Sequence, residues 1–133
     1  MIIQTFEINP VPASRARVTR WSTYYPKKYT KFKKEMGEVL ETMDIIPSEK
    51  LVCVFLEFMV SMPKSWSKKK KKEKDGNYCD NNSDIDNYIK AVLDSFNGFY
   101  FEDDKQVVEI FAKKIYSSTP RILYKMVEVN NGE

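Results

Sequence analysis

Residues 2–8 (IIQTFEI) are rich in β-favouring apolar positions and stop at Asn9-Pro10, which predicts a first strand. Residues 9–26 follow as a loop. Prolines bound it, Arg15, Arg17 and Arg20 lie between them, and Trp21, Tyr24 and Tyr25 add aromatic surface. The segment is too proline-rich for a helix interior. From 27 to 43 the period becomes helical: Tyr29, Phe32, Met36, Val39, Leu40 and Met43 share a face. Lys31–Glu35 and Lys34–Glu38 can pair on the wet side. Residues 51–62 (LVCVFLEFMVSM) run apolar without alternation and end at Pro63, the pattern of a buried central strand. A second helix is predicted over 84–97, with Ile85, Ile89, Val92, Leu93 and Phe96 on one face and Asn97-Gly98 as its stop. Two last strands, 106–116 and 121–129, flank a turn at Ser117–Pro120. The order strand, helix, strand, helix, strand, strand predicts a small α+β domain over residues 1–133, its helices packed on a mixed sheet.

A chain of 133 residues buries about two-thirds of its unfolded surface, enough for a core without staples. No run reaches the roughly 18 apolar residues of a membrane span, and MIIQTFEINP lacks the basic start and small-residue cleavage site of a signal peptide. The absence of histidine removes Ser-His-Asp and Cys-His catalysis and His-ligated zinc. Cys53 and Cys79 form no close-spaced motif and suit a reducing cytoplasm. Chemistry is left to carboxylates, lysines, hydroxyls and a hard metal ion, and no pattern calls for an organic cofactor.

Net charge is +3, but residues 1–74 carry 16 Lys and Arg against 8 Asp and Glu, while residues 75–133 carry 6 against 11. That asymmetry suggests one polyanion-facing surface and one cation-binding or solvated region. Six lysines fall between Lys68 and Lys74. Such a run is ordinarily a solvated face; as a short helix or arm it can also lie along a phosphate backbone.

Two acidic clusters stand out. Asp84-Ile85-Asp86-Asn87 with Lys90 opens the second helix, and Glu102-Asp103-Asp104 lies just past it. Each has a structural explanation: Ser83-x-x-Asp86 fits a capping box, and Asp103-Asp104 fits a polar turn. A chemical explanation takes both together. About 21 Å of helix can be retraced by a seven-residue return of at most about 25 Å, so a nearly extended Phe99–Asp103 brings Asp104 level with Asp84 and Asp86. Three carboxylates there would repel one another unless a divalent cation neutralised them, and all-oxygen ligation suits Mg²⁺ or Mn²⁺. Lys90, one turn beyond Asp86, can offset the charge of a phosphate. A cation-activated water and a lysine at the phosphate describe phosphodiester hydrolysis.

SDIDNYIKAVLDSFNGFYFEDDKQV resembles the signature of the RusA family of Holliday junction resolvases, often encoded by phages and prophages: Asp-x-Asp-Asn-x-x-Lys, Ala-x-x-Asp-(Ala/Ser)-(Leu/Phe)-Asn-Gly, then Asp-Asp-x-Gln-Val. PVPASRARVTR is similar to the family's N-terminal Pro/Arg loop, MPKSWSKKKKKE to the segment after its central strand, and Lys114 falls where a lysine is common. The resemblance implies metal-binding carboxylates at Asp84, Asp86 and Asp104 and a catalytic lysine at Lys90. It also implies a RusA-like fold and a Mg²⁺-dependent homodimer, each subunit nicking one of two symmetry-related strands of a four-way junction in the cytoplasm of a bacterial host. Arg15, Arg17, Arg20, Lys68, Lys69, Lys70 and Lys114 are then the expected DNA contacts, and Trp21, Tyr24 and Tyr25 can stack on unpaired bases or anchor their loop. Many relatives place a basic residue and a proline where Asn82 and Ser83 stand, and a histidine near Cys79. Two other functions fit the same residues: a branched-DNA-binding module that does not cut, and a metal-dependent nuclease acting on flaps or forks.

Overall fold

A computed structural model describes residues 1–24 and 26–130. Its elements are β1 (Ile2–Phe6), β2 (Arg17–Val18), β3 (Thr23–Tyr24), α1 (Lys27–Glu41), β4 (Val52–Val60), α2 (Lys68–Lys74), α3 (Ile85–Phe96), a 3₁₀ turn (Asp104–Gln106), β5 (Val107–Tyr116) and β6 (Arg121–Glu128). The main sheet has the order β1-β6-β4-β5. β4 pairs parallel with β5 and antiparallel with β6, and β1 closes the far edge antiparallel to β6. The predicted α+β architecture with a mixed sheet is the observed one.

β4 is central because it is apolar on both faces; among its nine residues only Phe55 is exposed and Glu57 half-buried. Val54, Leu56 and Phe58 meet Phe6, Phe32, Met36, Leu40, Val92 and Phe96 in one core. Phe96 is its aromatic hub, with ring centroids at 4.6 Å from Tyr124, 4.8 Å from Tyr100 and 5.6 Å from Phe6. Edge and tilted contacts of this kind stabilise beyond the area they bury.

Three sequence expectations need correction. The 9–26 loop contains a short antiparallel ribbon, Arg17 opposite Tyr24 and Val18 opposite Thr23. Tyr25 lies outside the described residues. On α3 the most buried residues are Tyr88, Ala91, Val92, Ser95 and Phe96, whereas Ile85, Ile89 and Leu93 are only half-buried. The small Ala91 and Ser95 let the helix approach closely, and Ser95 satisfies its hydroxyl on the Ala91 carbonyl at 2.8 Å. Apolar periodicity alone could not show that packing choice. On α1, Val39 is exposed although it falls in the apolar series.

The lysine run folds as a two-turn helix with no buried residue, capped where Ser67 Oγ accepts from the Lys70 amide at 3.1 Å. Trp66 anchors its start edge-on against Tyr116, 5.1 Å between centroids, and Lys70 Nζ lies 4.4 Å from the Trp66 ring centre. No helix among the described residues is long and apolar enough to cross a membrane.

Candidate active site and nucleic-acid face

The two acidic clusters begin as similar strings and end in different physical states. α3 starts at Ile85 with Asp84 as its N-cap residue, and the Asp84 side chain makes no capping hydrogen bond. The Ser83 capping box does not form, because Ser83 stands one residue before the N-cap position; its carbonyl instead accepts from Lys114 Nζ at 2.6 Å. Asp84 and Asp86 therefore sit exposed at the positive end of the helix dipole with no capping role.

The approach to Asp84 is pinned from below. Lys114 Nζ also donates to Asn81 Oδ1 at 2.8 Å, Asn81 Nδ2 donates to the Tyr88 hydroxyl at 2.9 Å, and the Cys79 amide donates to the Lys114 carbonyl at 3.0 Å. Tyr116 donates its hydroxyl to Asp80 Oδ1 at 2.7 Å, which holds the Asp80 carboxyl below the usual carboxylate range. The half-buried Lys114, expected as a DNA contact, thus directs its ammonium inward and positions the segment carrying Asp84. Asn82 and Ser83, the departures from the family pattern, lie in a segment made rigid by these bonds.

From Asp86 a cleft of about 510 Å³ opens between α3, α1 and the 13–16 loop, lined by Arg15, Lys33, Asp86, Asn87, Lys90 and Asp94. The Ala13 amide ties that loop to the Asn87 carbonyl at 2.8 Å. Lys90 points into the cleft as its i,i+4 spacing from Asp86 requires, but pairs with Asp94 at 3.6 Å. Tyr29 donates to the same Asp94 carboxylate at 3.1 Å. Lys33 and Asp94 were not singled out from the sequence, although the Lys90–Asp94 spacing signalled their shared face. Arg15, Arg17, Arg20, Lys68, Lys69 and Lys70 are all exposed.

The second cluster is a closed network. Asp103 caps the 3₁₀ turn, accepting from the Lys105 amide at 2.9 Å, which lowers its carboxyl pKa. Gln106 is buried and makes four hydrogen bonds. Its Oε1 accepts from the Glu102 and Asp103 amides, and its Nε2 donates to the Ser48 and Lys50 carbonyls. The polar-turn explanation holds for Asp103, and Asp104 stands half-buried beside it.

The expected return of Asp104 to Asp84 and Asp86 does not occur within one chain. After α3 the backbone turns sharply: the Phe99 amide bonds the Phe96 carbonyl and the Gly98 amide the Phe101 carbonyl, with Gly98 at φ 82. Gly98 carries no Cβ penalty in that left-handed conformation. Phe101 then bridges to Ser48, and the chain enters β5 at the C-terminal end of α3. β5 runs back until Lys114 reaches Ser83. Val107 and Lys114 are seven strand steps apart, about 23 Å, and twelve residues of α3 span about 18 Å. Asp104 and Asp84 therefore lie at opposite ends of the scaffold. Among the described residues no three acidic or thiol side chains gather closely enough to hold a metal ion.

An exposed carboxylate pair beside a cationic cleft, on a small α+β scaffold, defines a domain suited to nucleic-acid chemistry. Residues 7–126 match the family described as Endodeoxyribonuclease RusA, and the chain belongs to that family of DNA-cutting enzymes. It is also 36% identical over 90 residues to a Bacillus subtilis (strain 168) protein named Uncharacterized protein YqaN. That match covers 68% of this chain and 63% of YqaN, so the chain spans less than two thirds of the relative's length.

Proposed function

We propose that the protein is a divalent-cation-dependent endodeoxyribonuclease that resolves four-way DNA junctions as a homodimer, making paired symmetric nicks. The observation that carries the reading is the state of Asp84 and Asp86: outward, without a capping role, on a segment pinned by Lys114, beside a cleft that presents Arg15, Lys33 and Lys90. Two aspartates form an oxygen donor pair that fits Mg²⁺ or Mn²⁺. When bound, such an ion supplies Lewis-acid polarisation of the phosphodiester and activation of water.

The chain's own residues do the rest. Lys90 exchanges Asp94 for a phosphate oxygen, which exposed ion pairs permit at a cost below about 1 kcal/mol. Arg15, Arg17, Arg20, Lys68, Lys69 and Lys70 hold flanking phosphates, so affinity falls steeply with salt. Asp104 enters this reading from a second copy. A two-fold axis can set one end of a protomer beside the opposite end of its partner, and it matches the symmetry of a four-way junction.

The test incubates a synthetic four-way junction, and a matched linear duplex, with protein and Mg²⁺ and maps the nicks. Paired incisions near the crossover that vanish in EDTA are expected; cutting that persists in EDTA defeats the reading. Mixing the separately inactive Asp86→Asn and Asp104→Asn proteins probes the dimer. Recovery of single nicks is expected, because a mixed dimer then keeps one complete set. No recovery, despite subunit exchange seen by native mass spectrometry, removes Asp104 from a shared site.

A further inference from the structure

The β2–β3 ribbon was absorbed neither by the core nor by the carboxylate site. Every described residue from Arg17 to Tyr24 is exposed, and Trp21 at the tip is 85% exposed. A large apolar ring held in water is costly, yet the turn beneath it is tightly made. The Thr19 amide donates to the Ser22 carbonyl at 2.7 Å, and Thr19 Oγ1 accepts from the Ser22 and Trp21 amides at 3.0 and 3.3 Å. The Arg20 guanidinium carbon lies 5.2 Å from the Trp21 ring centre, pairing a cation with the ring. Between Glu7 and Glu35 the chain has eight cationic side chains and no acidic one. At its base the loop is fixed to the head of α3 through the Ala13–Asn87 bond.

We infer that the ribbon is a base-stacking probe, with Trp21 inserting against an unstacked base at a discontinuity in DNA while Arg17 and Arg20 hold the adjoining phosphates. The inference deepens the proposed function by assigning the recognition of branching to an element outside the carboxylate site, and it rests on DNA being the substrate. An uninterrupted duplex offers no open base face and gives the ring nothing to cover. A crossover, a frayed end or a single strand does, and base–aromatic stacking tolerates any sequence. From Ala16 to Trp21 the ribbon extends at most about 17 Å, so the probed base lies within roughly five stacked nucleotides of the strand at Asp86.

The experiment uses the full chain with Trp66→Phe, which leaves Trp21 as the sole tryptophan, in Ca²⁺ or EDTA so that binding is read without cleavage. A four-way junction carrying 2-aminopurine at the crossover, the equivalent continuous duplex and a single strand are titrated in turn. Junction and single strand are expected to quench Trp21 emission and shift the 2-aminopurine signal, and duplex to do neither. Trp21→Ala is expected to weaken junction binding roughly 5- to 150-fold, with duplex affinity held within about twofold. Thr19→Val, which keeps the ring but loosens its turn, should fall between. Equal quenching by duplex, or an unchanged junction preference in Trp21→Ala, overturns the inference. If binding selectivity follows Trp21 while no nick forms in Mg²⁺, the endonuclease reading fails and the probe stands. If junctions are nicked with selectivity indifferent to Trp21, the reverse holds.

Discussion

The two ends of α3 carry similar acidic strings in opposite physical conditions. At the C-terminal end, Asp103 and Gln106 close on their own backbone and on Ser48 and Lys50, and every named group has a structural task. At the N-terminal end, Asp84 and Asp86 have no such task, while their neighbours Asp80, Asn81 and Ser83 are tied down around them. Composition does not separate the two clusters; hydrogen bonding does. A carboxylate whose surroundings are fixed but whose own oxygens are left to solvent is a better candidate for chemistry than one that completes a turn.

The sharpest way to break the contrast is Asp86→Asn. Nicking of a four-way junction is expected to fall by at least about a hundredfold, the scale of losing an essential electrostatic group. The unfolding free energy should fall by no more than about 1 kcal/mol, the scale of an exposed carboxylate at a helix N-terminus. A large loss of stability would mean that Asp86 is structural after all. Gln106→Leu should do the opposite. It leaves two amides and two carbonyls without their partner, so urea unfolding should show a loss of about 2–4 kcal/mol. Lys114→Met lies between the ends: a loss of about 1–2 kcal/mol is expected, with slower nicking because Asn81 and Ser83 lose their hold. If nicking keeps its rate while stability drops, Lys114 does not position Asp84.

A smaller effect concerns the core shared by both ends. Burial pushes the Tyr100 hydroxyl up to about 12 from its ordinary 10, and Tyr124 is raised too. A tyrosine raised in this way contributes its full stabilisation below pH 10 and loses it as pH climbs towards 12. Thermal unfolding followed from pH 8 to 11.5 should stay flat and then decline above about 10, and Tyr100→Phe should blunt that decline. Because the buried Tyr100 hydroxyl has no hydrogen-bond partner among the described residues, the same substitution should be neutral or stabilising by up to about 1 kcal/mol at pH 7.

Much of this was legible in the sequence because local signals were strong. The apolar run 51–62 could only be a central strand, Gly98 marked the end of α3, and the spacing of Asp86 and Lys90 placed them on one helical face. What was not legible depended on partners distant in sequence. Ser83 fits a capping pattern, yet α3 starts one residue later, and the task Ser83 does have, accepting through its carbonyl from Lys114, lies 31 residues away. The apolar series on α3 marks its core-facing side, with Val92 and Phe96 in the core and Ile89 and Leu93 packed against it, but small residues such as Ala91 and Ser95 carry no apolar signal and are buried too. Seven residues after α3 are long enough to return Asp104 to Asp84, yet a reach is not a path. The Gly98 turn and the Gln106 bonds to Ser48 and Lys50 determine where the chain goes.

The rigid length of α3 has one more consequence. It works as a gauge block between the two acidic ends, whereas lengthening the connection between α1 and β4 near the exposed Ile46 should be absorbed locally. One extra residue between Asp86 and Lys90 would instead swing the lysine about 100° around the axis and lengthen the block by about 1.5 Å. Insertions would then be tolerated or ruinous according to phase, not size.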